Sequence, residues 1–242
     1  MQRAIATRIE SAWKSLVDFF YPSCCAGCGK EMLPCERLLC SDCIGRLSFT
    51  GGERDGRNPV FLNLAGRFPV EHAAAVFHFR KQGVMQRLLH GLKYDGRQDI
   101  GFFLGRMAGE RIRTDGIFPP PDYVVPVPLH KEKLEKRGYN QSLCIASGML
   151  RSFPGTTLGD GLLHKKEATQ SQTGKNRASR WENVKESFAL DREAIADPRL
   201  RGKHFLLVDD VITTGATIES CARQLLRIPG SRVSAVALAS PP

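Results

Sequence analysis

The chain has no uncharged apolar run near the roughly 18 residues that span a membrane, so an integral membrane protein of the helical kind is excluded. Its first twenty residues do not read as a secretory leader. Arg3, Arg8, Glu10, Lys14 and Asp18 interrupt them, and the expected compartment is the cytoplasm. There is no internal repeat, which argues against a solenoid. Aromatic residues are few, at 8% with two Trp and four Tyr. A groove that stacks single-stranded bases needs exposed aromatics. Phe102, Phe103, Tyr139 and Trp181 are the candidates, and each reads first as core. Acidic residues are also in deficit: 25 against 35 Lys and Arg in 242 residues, a formal charge of +10. That balance suits polyanions or phosphorylated substrates without choosing between them.

Cysteine is present in quantity, but in a pattern that excludes a secreted disulfide framework. Six of the eight lie before residue 50. Cys25-Ala-Gly-Cys28 and Cys40-Ser-Asp-Cys43 form two C-x-x-C knuckles, with Gly27 and Gly29 free to make the tight turn. Four thiolates of this kind predict one closed, tetrahedral, structural zinc per chain on Cys25, Cys28, Cys40 and Cys43. Metal-free thiols and a redox dithiol are the alternatives. Cys24 and Cys35 are left over.

In chain order, residues 1–21 read as an amphipathic helix, with Ile5, Ile9, Trp13, Leu16 and Phe20 near one face. It is expected to pack on the rest of the chain or to dock on a partner protein; peripheral membrane contact is the third reading, disfavoured by a polar face of mixed sign. Residues 22–47 read as the four-cysteine zinc module. Residues 48–70, rich in Gly and Pro, read as a linker whose Val60-Phe-Leu62 patch packs on the core. Residues 71–242 read as an α/β domain. Strands are expected at 73–79, 123–128 and 232–238, and helices at 84–92, 100–112 and 142–150. Gly101, Gly105 and Gly109 predict close helix–sheet packing. Residues 129–141 read as a loop dense in cations, including Lys131 and Arg137. Residues 164–180 are polar without apolar periodicity.

The most informative stretch is Phe205-Leu-Leu-Val-Asp-Asp-Val-Ile-Thr-Thr-Gly-Ala-Thr217. An apolar strand runs into Asp209 and Asp210, then into a hydroxyl-and-glycine loop, then into a helix with apolar residues at 218, 221, 222, 225 and 226. Free backbone N–H groups at such a helix start favour a phosphate. Two carboxylates suit what hangs from that phosphate, vicinal sugar hydroxyls or a magnesium ion.

This stretch resembles the 5-phosphoribosyl 1-pyrophosphate (PRPP) signature of type I phosphoribosyltransferases. The resemblance implies ribose hydroxyls beside Asp209 and Asp210, which would be the catalytic acids. It also implies a 5′-phosphate on Thr213, Thr214, Gly215, Ala216 and Thr217. More of the chain resembles the ComF family (ComFC- and GntX-like). The carrying residues are the two knuckles, Leu92-Lys-Tyr-Asp-Gly96, Pro126-Val-Pro-Leu-His130, Arg137-Gly-Tyr-Asn-Gln141, Thr169-Gln-Ser-Gln172 with Arg180 and Asn183, and the 205–217 signature. Lys165 and Lys166 stand where that family's pattern shows an Arg, which keeps charge but loses the bidentate fork.

The resemblance implies a type I phosphoribosyltransferase-like core, a parallel sheet flanked by helices, behind a small four-cysteine zinc module. It also implies a role in natural transformation, with single-stranded DNA and DNA-uptake proteins as partners. Basic residues Lys131, Arg137, Lys175 and Arg180 are the candidates for the pyrophosphate, with magnesium bridging it to the ribose. The competing expectation is an active phosphoribosyltransferase that transfers to an unknown base or amine. Such a reaction rests on positioning and charge stabilisation rather than on a protein nucleophile.

Overall fold

The computed structural model describes residues 23–115, 117–166 and 188–241. The expected 1–21 helix, Lys175, Arg180, Trp181 and the Thr169–Asn183 part of the family pattern lie outside them.

In chain order the elements are α1 (Ser41–Gly45), α2 (Pro59–Ala65), β1 (Ala73–His78), α3 (Val84–Tyr94), α4 (Gln98–Asp115), β2 (Tyr123–Pro126), α5 (Lys131–Arg137), α6 (Gln141–Leu150), β3 (Thr157–Leu158), β4 (Leu163–Lys165), β5 (Phe188–Leu190), a 3₁₀ turn (Pro198–Leu200), β6 (His204–Val211), α7 (Ala216–Leu225) and β7 (Arg232–Ser240). Five strands form one parallel sheet in the order β1-β7-β6-β2-β3. β4 and β5 form a separate antiparallel pair. A parallel sheet is buried on both faces, and the central strands read accordingly. Seven of the eight residues of β6 are buried, and seven of the nine in β7.

Alternation along the strands divides the core into two layers. Leu206, Val208, Val236 and Leu238 face α3, α4 and α6. Phe205, Leu207, Val233, Ala235 and Ala237 face α7, α2 and the β4–β5 pair. The four-cysteine module joins the first layer through Leu39, Leu47 and its own buried cysteines. Arg87 of α3 also donates its Nε–H to the carbonyl of Gly27 in the first knuckle.

Several expectations change here. Residues 129–141 are not all loop: α5 occupies most of them and stops at Gly138, whose φ of 80° is left-handed. The 101–105–109 glycines serve a helix–helix contact, not a helix–sheet one. A Cβ on Gly105 would run into the carbonyl of Ile145, and one on Gly148 into that of Phe102, so α4 and α6 touch backbone to backbone. The expected 48–70 linker contains α2, capped by Asn58, whose Oδ1 accepts from Val60 N–H and Phe61 N–H. Within its apolar patch Val60 and Phe61 pack inward, but Leu62 is exposed and the fully buried residue is Leu64. Periodicity does not reveal this, because a small rotation of a short helix changes which side faces in.

Candidate functional site

The site is built at the carboxyl ends of β6 and β2. That is where ligands of open α/β sheets sit. β6 carries Asp209 and Asp210 within the strand itself, both buried. Asp209 Oδ1 accepts from Ser142 Oγ at 3.0 Å and from the Asp210 N–H at 2.9 Å. Asp210 Oδ2 meets Lys93 Nζ at 2.7 Å. The angle does not make this a directed hydrogen bond, and the oxygen has no other partner among the described residues. Burial, and then the charge of Asp210, push the Asp209 carboxyl up from 3.8 to about 7. The N–H of Asp210, the hydroxyl of Ser142 and the charge of Lys93 oppose that rise.

After β6 the chain turns through Thr213 and Thr214, both exposed, to Gly215. Gly215 is the N-cap of α7, with φ of 77° and no side-chain cap. Only glycine fits here, for two reasons. Its backbone is left-handed, and an added Cβ would lie 2.6 Å from Leu64 Cδ2. Helix α2 therefore supports the loop from behind, and Asn63 Nδ2 also donates to the Thr214 carbonyl at 3.4 Å. The first turn of α7 has no cap from Gly215 itself, only a long 3.5 Å contact of the Ala216 N–H with Thr214 Oγ1, and it follows the acidic pair at the end of β6, a cradle suited to an anion. Ala216 and Thr217 are half-buried in that turn. Glu219, one turn in, is buried and held by Arg67 at 3.2 Å and Arg223 at 3.0 Å.

Around this core three distant motifs meet. Tyr139 Oη donates to the carbonyl of Leu92. Arg137 donates to Gln141 Oε1 and lies over the Tyr94 ring, 5.8 Å from its centroid. Asn140 Nδ2 donates to the Val127 carbonyl at 3.0 Å, and its Oδ1 caps α6 at the Ser142 N–H. Residues 92–96, 126–130 and 137–141, separate in sequence, thus form one brace. It delivers Lys93 and Ser142 to the acidic pair. The sequence marks the 92–96 motif but assigns Lys93 no role, and Ser142 reads there only as a helix start. The Asn140–Ser142 capping pattern is the one local signal that points to the latter.

Of the expected pyrophosphate residues, Lys131 lines a cleft of about 790 Å³ with Pro126, Pro128, Asn140 and Lys165. That cleft opens at the end of β2, and residues 209–217 are not among its lining. Arg137 is engaged in the brace described above. A second cleft of about 610 Å³ lies between the four-cysteine module and α4, lined by Arg37, Arg97, Arg106, Phe102 and Phe103. Phe102, expected to be core, is 40% exposed and lines both clefts, whereas Tyr139 is buried. Asp99 chelates Arg97 at 2.8 and 3.0 Å.

The four knuckle cysteines converge, with ligand atoms all within 4.8 Å of one another. Cys28 and Cys40 sulfurs are 3.7 Å apart, close to the roughly 3.8 Å that tetrahedral zinc–thiolate bonds of 2.3 Å require. Cys25 Sγ accepts N–H bonds from Gly27 at 3.3 Å and Cys40 at 3.2 Å. Burial raises the Cys25 thiol, and these N–H donors more than offset it, bringing it to about 6. Burial and the neighbouring thiols push Cys43 the other way. Four sulfurs this close cannot all ionise without a cation, and the set fits zinc. Gly27 allows the approach, because its Cβ would lie 2.9 Å from Cys43 Sγ.

Comparison with known proteins agrees with this geometry. Residues 140–242 match the phosphoribosyl transferase domain family. The chain is 32% identical over 144 residues to the DNA utilization protein YhgH of Salmonella typhi, covering 58% of this chain and 60% of that protein. It is 30% identical over 108 residues to competence protein F of Haemophilus influenzae, 45% of each chain. It is 32% identical over 116 residues to competence protein ComFC of Bacillus subtilis, 46% of this chain and 41% of that one. The matches thus span between two-fifths and three-fifths of these relatives' own length.

Proposed function

We propose that this ComF-type chain, a homologue of competence and DNA-utilization proteins with a phosphoribosyl transferase domain, binds PRPP at the end of β6 and acts in DNA uptake. Its further partners are single-stranded DNA and proteins of the uptake machinery. It works in the cytoplasm, with zinc in the four-cysteine cluster as a structural element. No helix among the described residues is long and apolar enough to cross a membrane.

The observation that carries the reading is the left-handed Gly215 start of α7, which has no side-chain cap of its own, after the buried Asp209–Asp210 pair. The N–H groups and Thr hydroxyls of 213–217 take the 5′-phosphate. The carboxylates accept from the ribose hydroxyls. Lys131 at the neighbouring strand end supplies positive charge for the pyrophosphate, as Arg137, Lys175 and Arg180 do in the expected set. Magnesium, when bound with PRPP, neutralises pyrophosphate charge. Every other contribution is positioning by this chain's own residues. PRPP titration calorimetry with magnesium tests the site. Asp209→Asn combined with Asp210→Asn is expected to abolish binding, and unchanged affinity overturns the assignment.

For the nucleic acid, the support is the second cleft. Arg37 and Arg106 are there beside Phe102 and Phe103, a pairing of cation and aromatic face that suits a single strand. Glu36, also in the cleft, is occupied by Leu33 N–H, Ser41 N–H and Ser41 Oγ. In fluorescence anisotropy with an oligonucleotide, affinity should fall steeply with salt. The double change Arg37→Ala and Arg106→Ala should weaken it and reduce the salt slope by about 2. A flat salt dependence overturns this part of the reading.

A further inference from the structure

The acidic pair already has a cation. Lys93 Nζ sits 2.7 Å from Asp210 Oδ2. A magnesium ion needs its oxygen ligands at about 2.0–2.1 Å in near-octahedral array. The ammonium therefore stands where such an ion's first shell would lie, and two cations on one buried oxygen repel. On the other carboxylate, Asp209 Oδ1 is committed to Ser142 Oγ and the Asp210 N–H. Two of the pair's four oxygens are thus taken from within the protein.

Lys93 is held at its post. It lies in the last turn of α3, where a cation is favoured by the helix dipole. Leu88 and Leu92 anchor that helix in the core, and Tyr139 ties its end at the Leu92 carbonyl. The side chain is still one-quarter exposed. The contact is one of charge rather than a directed hydrogen bond, so the three N–H donors of the ammonium remain for ligand oxygens.

We infer that Lys93 is the resident cation of the acidic pair, holding on Asp210 the place a protein-bound divalent ion would need, so that the pair takes sugar hydroxyls without one. The inference rests on the PRPP reading and deepens it. Magnesium that arrives with pyrophosphate is then carried by the ligand, not by Asp209 and Asp210.

Manganese serves as the probe, with free ion read by electron paramagnetic resonance on the zinc-loaded full chain. Removing an opposite charge beside a carboxylate is worth about one to three pKa units of ionisation. At a pH high enough to ionise both carboxylates, where protons no longer compete, Lys93→Met should therefore bind manganese about tenfold or more tightly than the parent chain, and Lys93→Arg should stay at the parent's weak level. Equal affinity in all three chains overturns the inference. A second measurement needs no variant. Ribose 5-phosphate lacks the pyrophosphate, so its affinity for the parent chain should agree within about twofold with and without magnesium. A tenfold loss without magnesium overturns Lys93's role. No binding of ribose 5-phosphate in either buffer would overturn the PRPP reading instead, and the manganese comparison would then decide Lys93 alone.

Discussion

At the N-terminal knuckles, four sulfurs lie within 4.8 Å of one another. At the end of β6, two carboxylates are buried side by side. Both places gather groups that repel when ionised, and the relief differs. The knuckles have no cationic side chain among their ligands, so the charge that would let all four ionise would come from a metal ion, and a closed set of four ligands leaves no position for substrate. The acidic pair is relieved from inside: Lys93 contacts one carboxylate, while burial and the charge of Asp210 make the other hold its proton more tightly. The first arrangement is complete once its ion is bound and therefore suits structure. The second keeps oxygens and a partly exposed ammonium available and therefore suits a ligand.

The sharpest way to break this contrast is to take away the external cation. Structural zinc contributes on the order of 10 kcal/mol or more to its own module. Cys40→Ser, or chelation, is expected to unfold the segment around residues 23–47, as seen in proteolysis, while elemental analysis of the parent chain finds about one zinc. A metal-free chain with an intact module would refute the assignment.

The internal relief predicts a smaller effect that depends on pH. Asp209 holds its proton more tightly in the folded chain, at about 7, than the 3.8 of an ordinary aspartate. Its stabilising contribution is therefore fully present below 3.8 and is lost as pH rises through about 7, at no more than about 1.4 kcal/mol per pH unit. Urea unfolding across this window should show that slope, and Asp209→Asn should flatten it. An unaltered slope in the variant would mean that another group carries the dependence.

The smallest effect concerns the loop. Gly215→Ala places a Cβ in a left-handed backbone at about 1–2 kcal/mol and against Leu64 Cδ2. We expect a modest fall in melting temperature with a loss of PRPP affinity of about tenfold. Full affinity would show that the phosphate does not use the start of α7.

Much of both regions is legible in the order of the residues. The knuckles place their ligands by two short turns, and strand–acid–loop–helix is contiguous from 205 to 227, so each local pattern carries its own geometry. Other parts are not legible there. Lys93 and Ser142 reach the acidic pair only because α3 and α6 pack on the same face of the sheet. Ser142 lies 67 residues from Asp209. Leu64 and Asn63 lie about 150 residues from the loop they support. The 129–141 stretch reads as loop because its cations conceal a two-turn helix with no buried residue. The glycines of α4 announce a close approach but not the partner.

By itself, then, the sequence determined the parts: four paired thiols spaced for a metal ion, a threonine-and-glycine loop behind an acidic pair, and a surplus of positive charge. These follow from residue type and short-range spacing, which chain geometry translates directly. Only the tertiary structure decided which charge answers which. Burial and partners depend on how helices stack across the sheet, and that is why Lys93, rather than any of the residues beside Asp210 in the chain, stands against its carboxylate.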